Sequence, residues 1–366
     1  MANDKLKVAK KAKNDEFYTQ YQDIEKELNA YLEFNDEVFK GKTILLPCDD
    51  PEWSNFTKYF AQNFEKLGIK KLISTSYAPN SKKVKAAAQL TLFETESPLF
   101  DAEKSVKNGR IFTLQRDTTG DNRIDVDDLE WKYLEGDGDF RSEEIRKLRD
   151  QADVIITNPP FSLFREFLAW VTESEKLFLL IGNKSCVTYK WVFPLIRDNK
   201  MWSGRTEWSG GLWFETKDDT DVDKVIDGRN MKNVSCVWFT NLDHGRRHQP
   251  LPLMSTDDNL KFSKHKEIKG RSSYQKYDNY EAIEVPFTDA IPSDYPGVMG
   301  VPITFLDKYS PEQIEILGMS SSAGYDPFIV GIPFLGGKDA RPLVEGKNTY
   351  ARIFIKHKGI NDADKS

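Results

Sequence analysis

The chain has 366 residues, 39% hydrophobic and 30% charged, which is enough for one large core or two domains of ordinary size. No apolar run reaches the roughly 18 residues of a membrane-spanning helix, so no membrane partner is expected. The net charge of −6 excludes a uniformly basic nucleic-acid binder, although DNA responds to a local patch rather than to the sum. Lys5, Lys7, Lys10, Lys11 and Lys13 near the start are not followed by an apolar stretch, so no secretory signal is expected. Cys48, Cys186 and Cys236 are scattered and odd in number, which fits reduced thiols in the cytoplasm better than a disulfide framework or a zinc site.

In chain order, residues 42–48 make a short apolar strand, followed by Asp49-Asp50-Pro51 and a helical pattern from Asn55 to Leu67. Ser54 stands where an N-cap belongs, and Gly68 closes that helix. Residues 71–76 form a second strand. A polar excursion follows, with strand candidates at 110–114 and 131–134. After a Gly-Asp-Gly turn, a helix spans residues 143–149, then a fourth strand at 153–157 ends in Asn158-Pro159-Pro160. A helix over 164–172 leads to a fifth strand at 176–181, and residues 235–241 read as a final strand. Strands alternating with helices imply βαβ units and a mostly parallel, doubly wound α/β sheet.

Beyond about residue 245 the texture changes. Pro250, Pro252, Pro286, Pro292, Pro296 and Pro302 punctuate short segments, and helical periodicity is weak except over 311–317. A first domain over 1–245 and a second, more irregular one over 246–366 are expected. Residues 261–276 carry Lys261, Lys264, Lys266, Lys269, Arg271 and Lys276 against a single Glu267, interleaved with Phe262 and Tyr274. Such a stretch is either a solvated loop or a phosphate-contacting surface. Arg246-Arg247-His248, at the junction, is a candidate phosphate contact or an ordinary charged linker.

Asn158-Pro159-Pro160-Phe161 carries the chemistry. It follows an apolar strand at the carboxyl end of the sheet, the edge where doubly wound sheets bind ligands. An exocyclic aromatic amine is a poor nucleophile because its lone pair is delocalised into the ring. Two acceptors on its N–H bonds, the Asn158 side-chain oxygen and the Pro159 carbonyl, can draw the nitrogen toward tetrahedral geometry. The prolines fix φ and hold both oxygens in place. Phe161 offers a face for an extruded base. A plain turn after a strand is the alternative reading of the same four residues.

The tetrapeptide resembles the catalytic loop of amino-methyltransferases acting on adenine, cytosine, guanine or glutamine nitrogens. The chain more closely resembles the EcoRI-type modification methylases, a family of adenine-N6 DNA methyltransferases. The similar stretches are Asp15-Glu-Phe-Tyr-Thr-Gln20, Cys48-Asp-Asp-Pro51 with Ser54-Asn-Phe56, Lys58-Tyr-Phe-Ala61 and Gly136-Asp-Gly-Asp-Phe-Arg-Ser142. They continue through Thr157-Asn-Pro-Pro-Phe-Ser-Leu-Phe164, Lys276-Tyr-Asp-Asn-Tyr280 and Gly297-Val-Met-Gly-Val-Pro-Ile-Thr-Phe-Leu306; residues 78–134 match least well. The resemblance implies a seven-stranded, Rossmann-like methyltransferase sheet over 1–245 and a DNA recognition domain over 246–366, in which the basic Arg246, Arg247, Lys264, Lys266, Lys269 and Arg271 are the candidate DNA contacts.

It also implies S-adenosylmethionine as cofactor. Phe17, Tyr18 and Thr19 resemble the motif folded over its methionine end, with Thr19 near the carboxylate. Asp49 and Asp50 occupy the methionine-binding place, where a carboxylate accepts from the ammonium group and Ser54 faces the carboxylate. The Gly-x-Gly turn usual in methyltransferases is missing there, and Ser74-Thr75-Ser76 supplies no acid for the ribose. Asp139 and Phe140 resemble the motif in which an acid accepts from the adenine amine and an aromatic packs on the ring. The segment from Asp117 to Asp128 imitates a calcium loop, but Asn122 stands where glycine is required and Asp128 where glutamate is, so an exposed hairpin is expected. His244, His248, His265 and His357 lack ligand spacing, and no metal is expected.

The resulting expectation is a monomeric or weakly associating enzyme that methylates a flipped adenine in double-stranded DNA. GAATTC is the first site that the resemblance suggests, and a restriction endonuclease partner is compatible with the family but not implied by the residues. The rivals are a methyltransferase for an RNA base or a protein glutamine, and a non-catalytic DNA-binding protein of the same fold.

Overall fold

The computed structural model describes residues 18–49, 54–78, 99–215, 222–320, 328–329, 334–336 and 340–359. The chain divides into two compact units, Met1–Lys184 with Gly204–Asp243, and Ser185–Ser203 with His244–Ser366.

The first unit contains β1 (Tyr18–Thr19), α1 (Tyr21–Phe34), β2 (Thr43–Leu46), α2 (Asn55–Gln62), β3 (Lys71–Ser76), β4 (Arg110–Leu114) and β5 (Glu130–Tyr133). It continues through α3 (Glu143–Gln151), β6 (Val154–Thr157), α4 (Phe164–Glu173), β7 (Leu177–Asn183), β8 (Leu212–Glu215), β9 (Lys224–Ile226), β10 (Arg229–Val234) and β11 (Cys236–Thr240). Seven strands of the main sheet lie in this unit, in the order β5-β4-β3-β2-β6-β7-β11. Parallel pairing is confined to β3, β2, β6 and β7. Strands β4 and β11 run against the central four, and β5 joins by antiparallel pairing with β4, so the sheet is mixed rather than mostly parallel as expected. For β4 and β5 the reason is local. The segment between them folds back on its own aspartates and forms no crossover helix, so the two strands pair as a hairpin.

The central strands are parallel because both faces are covered. Every residue of β2 and of β6 is buried, and a continuous run such as Val154-Ile-Ile-Thr157 suits a strand with no solvent face. On one face Ile44, Leu46, Val154 and Ile156 join Phe56, Phe60, Ile181 and Trp238 in one core cluster. Ser54 caps α2, its hydroxyl accepting from the Phe56 and Thr57 amides at 3.1 and 3.4 Å. Helix α3 starts the same way on Ser142, with Glu143 and Glu144 in its first turn favoured by the helix dipole. A second, antiparallel sheet of order β1-β8-β10-β9 completes the unit.

The second unit carries α5 (Thr256–Phe262), β12 (Ile283–Glu284), β13 (Met299–Pro302), β14 (Ile314–Met319), β15 (Phe328–Ile329) and β16 (Arg352–His357). These strands form a five-stranded sheet in the order β12-β13-β16-β14-β15. Residues 311–317, expected to be helical, instead enter β14. Ile314 and Ile316 are buried while Glu315 is exposed, an alternation of period two that so short a segment does not distinguish from a helical turn. Among the described residues no helix is long and apolar enough to cross a membrane.

Candidate active site

The carboxyl ends of β2, β3 and β6 converge on Asp49. Its amide donates to the Thr75 carbonyl at 3.0 Å, and its own carbonyl accepts from the Ser74 hydroxyl. Asp49 is 6% exposed. Its Oδ1 accepts from Ser54 Oγ at 2.7 Å and its Oδ2 from Thr157 Oγ1 at 2.6 Å. Each carboxylate oxygen offers two acceptor positions, so both hydroxyls are accommodated.

Thr157 is fully buried, the last residue of β6, and Asn158 follows it directly. Pro159 is buried, while Asn158, Pro160 and Phe161 are half-buried. Pro160 has φ −53° and its carbonyl accepts from the Leu163 amide at 2.9 Å, turning the chain into a short 3-10 segment ahead of α4. Phe161 packs on the core with its ring edge to Phe214, centroids 6.4 Å apart.

Phe214 leads to the third part of the site, because in the β1–β8 ladder it faces Thr19. The Thr19 carbonyl accepts from Asn55 Nδ2 at 2.7 Å, which fastens β1 to the start of α2. Thr19 is 4% exposed, and its hydroxyl oxygen has no hydrogen-bond partner among the described residues. A buried orphan hydroxyl costs free energy unless something else satisfies it. It lies beside the amino end of α2, whose dipole favours an anion. A cavity of about 430 Å³ opens next to these residues, bordered by Gln20, Tyr21, Asn55, Trp213, Arg229 and Met231.

The fourth part is the turn at Gly138, where φ is +84° and a Cβ would stand 2.3 Å from the Ser76 carbonyl oxygen. Only glycine lets this turn lie against the end of β3. The Ala78 amide donates to the Asp137 carbonyl at 2.8 Å and holds it there. Asp139 follows, accepting from Arg141 Nε at 2.9 Å and Nη2 at 2.6 Å. The Arg141 guanidinium keeps the Asp139 carboxyl below the ordinary carboxylate range.

The structure therefore brings Thr19, Asp49, Ser54, Asp139 and the Asn158–Phe161 loop to one edge of the first unit. Phe17 and Asp50 lie outside the described residues, and Tyr18 enters β1 by its backbone. Phe140 is 5% exposed and packs edge-on against Phe167 and Trp170, with centroids at 5.1 and 5.8 Å. It thus faces the core of α4 rather than an open cradle. Sequence reasoning missed Thr157 and Asn55; the signal for Thr157 was a lone hydroxyl in an otherwise aliphatic buried strand.

In the second unit, Lys264, Lys266, Lys269 and Arg271 are exposed, and Lys264 pairs with Asp289 at 2.7 Å. Arg246 donates to Asp307 at 3.0 Å. Arg247 is buried, its guanidinium 3.6 Å over the Trp202 ring and 2.5 Å from Asn199 Oδ1. That arginine is a packing residue of its unit, and its planar guanidinium suits the stack better than lysine would.

The carboxylates of the calcium-like segment bind its own backbone. Asp117 accepts from the Gly120 and Asn122 amides at 2.6 and 2.8 Å, and Asp128 from Thr118 and Thr119 at 2.7 and 2.9 Å. Those amides hold the Asp128 carboxyl far below its ordinary range. The segment joins the β4–β5 hairpin, as its flanking strands suggested. Among the described residues no group of three or more His, Cys, Asp or Glu could hold a metal ion.

A family model described as adenine-specific methyltransferase EcoRI matches residues 5–358. The chain belongs to the EcoRI adenine-specific methyltransferase family. It is 40% identical to the type II methyltransferase M.EcoRI of Escherichia coli over 370 residues, covering 98% of each chain. It is also 32% identical to the type II methyltransferase M.MpnI of Mycoplasma pneumoniae, covering 96% of this chain and 97% of the relative. M.MgeORF184P of Mycoplasma genitalium is similar at 32% identity over 363 residues, covering 96% of this chain and 98% of the relative. No solved structure matches the chain. The family membership fixes the activity class, an adenine-specific methyltransferase, and leaves the residue roles to be argued from the site.

Proposed function

We propose that the chain transfers the methyl group of S-adenosylmethionine to the exocyclic N6 of an adenine turned out of duplex DNA, with Asn158, Pro159, Pro160 and Phe161 as its catalytic loop. The observation that carries this reading is the position of Asn158 one residue beyond the fully buried Thr157, at the same sheet edge as Thr19, Asp49 and Ser54.

The residues present fit the cofactor. The orphan Thr19 hydroxyl and the amino end of α2, capped by Ser54, suit the methionine carboxylate. Asp49 stands behind them, its carboxylate engaged by Ser54 and Thr157, and is the acid in this reading for the cofactor's ammonium group. Asp139 suits the adenine amine, with Arg141 turning the carboxylate and competing for one of its edges. Phe140 supports this turn from beneath. When bound, the cofactor supplies an electrophilic methyl on a sulfonium.

The chain's own residues do the rest. The Asn158 amide oxygen and the Pro159 carbonyl accept the two amine hydrogens of the target adenine, which localises the nitrogen lone pair. Phe161 gives the extruded base a ring to stack on, held by Phe214 behind it. No strong general base is needed, because the nitrogen becomes acidic once alkylated. The exposed Lys264, Lys266, Lys269 and Arg271 are the phosphate-contacting surface in this reading. Labelled methyl supplied on the cofactor should enter duplex DNA incubated with purified protein. Label entering RNA or protein while DNA stays unlabelled would overturn the proposal.

A further inference from the structure

The catalytic reading leaves one buried interaction unexplained, the hydrogen bond from Thr157 Oγ1 to Asp49 Oδ2 at 2.6 Å. We infer that Thr157 is a positioning residue, which sets Asn158 against the target amine by holding the end of β6 on the Asp49 carboxylate. The inference rests on the role proposed for Asn158 and adds how that role is achieved.

The geometry is specific. Strand β6 reaches β2 in register only through Ile44–Val154 and Leu45–Ile155, so the ladder to β2 ends two residues before Thr157. On the other side Thr157 still faces Leu180 of β7. At its last residue β6 is therefore paired with one neighbour only, and the side chain of Thr157 replaces the missing tie to the β2 end. Asp49 cannot yield. Its amide is bound to Thr75, its carbonyl to Ser74, and its second carboxylate oxygen to the Ser54 hydroxyl that caps α2. A hydroxyl donating to a carboxylate is a strong, short contact, and this one is buried.

The same chain of contacts runs from Thr157 through Asp49 and Ser54 to the amides of Phe56 and Thr57 at the amino end of α2. The end of α2 that suits the methionine carboxylate and the strand that presents Asn158 are thus fastened to one acid. Small displacements at a reacting centre cost rate steeply, about 100-fold for about 1 Å. A freed β6 terminus would therefore lower turnover without removing any group that touches substrate.

Thr157→Val keeps the shape and deletes the hydroxyl; Thr157→Ser keeps the hydroxyl and deletes a methyl. In the valine variant the single-turnover rate of methyl transfer to duplex DNA should fall about 10- to 100-fold, with calorimetric affinity for S-adenosylhomocysteine and the KM for DNA within about twofold of wild type. The serine variant should recover most of the rate. A wild-type rate in the valine variant, or a rate loss equal in both variants, would overturn the inference. So would a rate loss fully matched by lost cofactor affinity. Should the valine variant fail to fold, Thr157→Cys, with only a weak S–H donor, carries the same comparison against serine. A wild-type enzyme that methylates no DNA would instead overturn the proposed function itself.

Discussion

Replacing Asn158 by alanine removes the one side-chain acceptor proposed for the target amine. Thr157 remains bound to Asp49, and the Pro159 carbonyl is backbone, so one acceptor is lost and the other stays. Asn158 is half-buried, so truncating it opens no large core cavity. The loss is felt where charge develops on the amine nitrogen, not in the resting complex. Removing one preorganised hydrogen-bonding group of this kind costs about 100- to 1,000-fold in kcat, roughly 2.7–4 kcal/mol. Because the contact strengthens in the transition state, kcat and kcat/KM should fall together. Rapid-quench transfer of labelled methyl to duplex DNA reads the rate, and calorimetry with S-adenosylhomocysteine reads the ground state. A variant with unchanged kcat, or one whose cofactor affinity drops as far as its rate, would refute the role given to Asn158.

Two further outcomes follow from the geometry. Replacing Lys266 and Lys269 together by alanine should weaken DNA binding and lower the slope of log affinity against log salt by about 2, since each lost phosphate contact removes about 0.9; an unchanged slope would show that this stretch is a solvated loop. Burial pushes the Cys236 thiol up to about 12 and the Cys186 thiol higher still. Thiolate is the reactive form and both groups stay protonated at about pH 8, so a thiol reagent should titrate Cys48 alone in the native protein and all three cysteines in denaturant. Fast labelling of three thiols under native conditions would contradict the packing described.

The strands that build the site were legible because they are fully buried. Runs such as Thr43-Ile-Leu-Leu46 and Val154-Ile-Ile-Thr157 have no solvent face, and hydrophobicity alone locates them. Ser54 was legible as a cap because its role is local. What escaped depends on partners far along the chain. Helix α1 hides a fully buried Glu27 on its apolar face, satisfied by the Arg205 and Thr206 amides at 2.6 and 2.7 Å, and those residues lie 178 and 179 positions away. Strands β9 and β10 bury too little to mark themselves, since β9 is exposed along most of its length and β10 fully buries only Met231. Arg247 reads as a phosphate contact until Trp202 and Asn199 are seen to enclose it. The Asn158–Phe161 loop could be proposed from its chemistry, whereas the Thr157–Asp49 contact beside it spans 108 positions and leaves no local mark.

Nucleoside analysis of methylated DNA tests the central claim most directly. Duplex DNA treated with the protein and S-adenosylmethionine, digested to nucleosides and resolved by mass spectrometry, should contain N6-methyladenine as its new base. N4-methylcytosine in its place, or no methylated base in DNA under conditions where the cofactor is bound, would contradict the account.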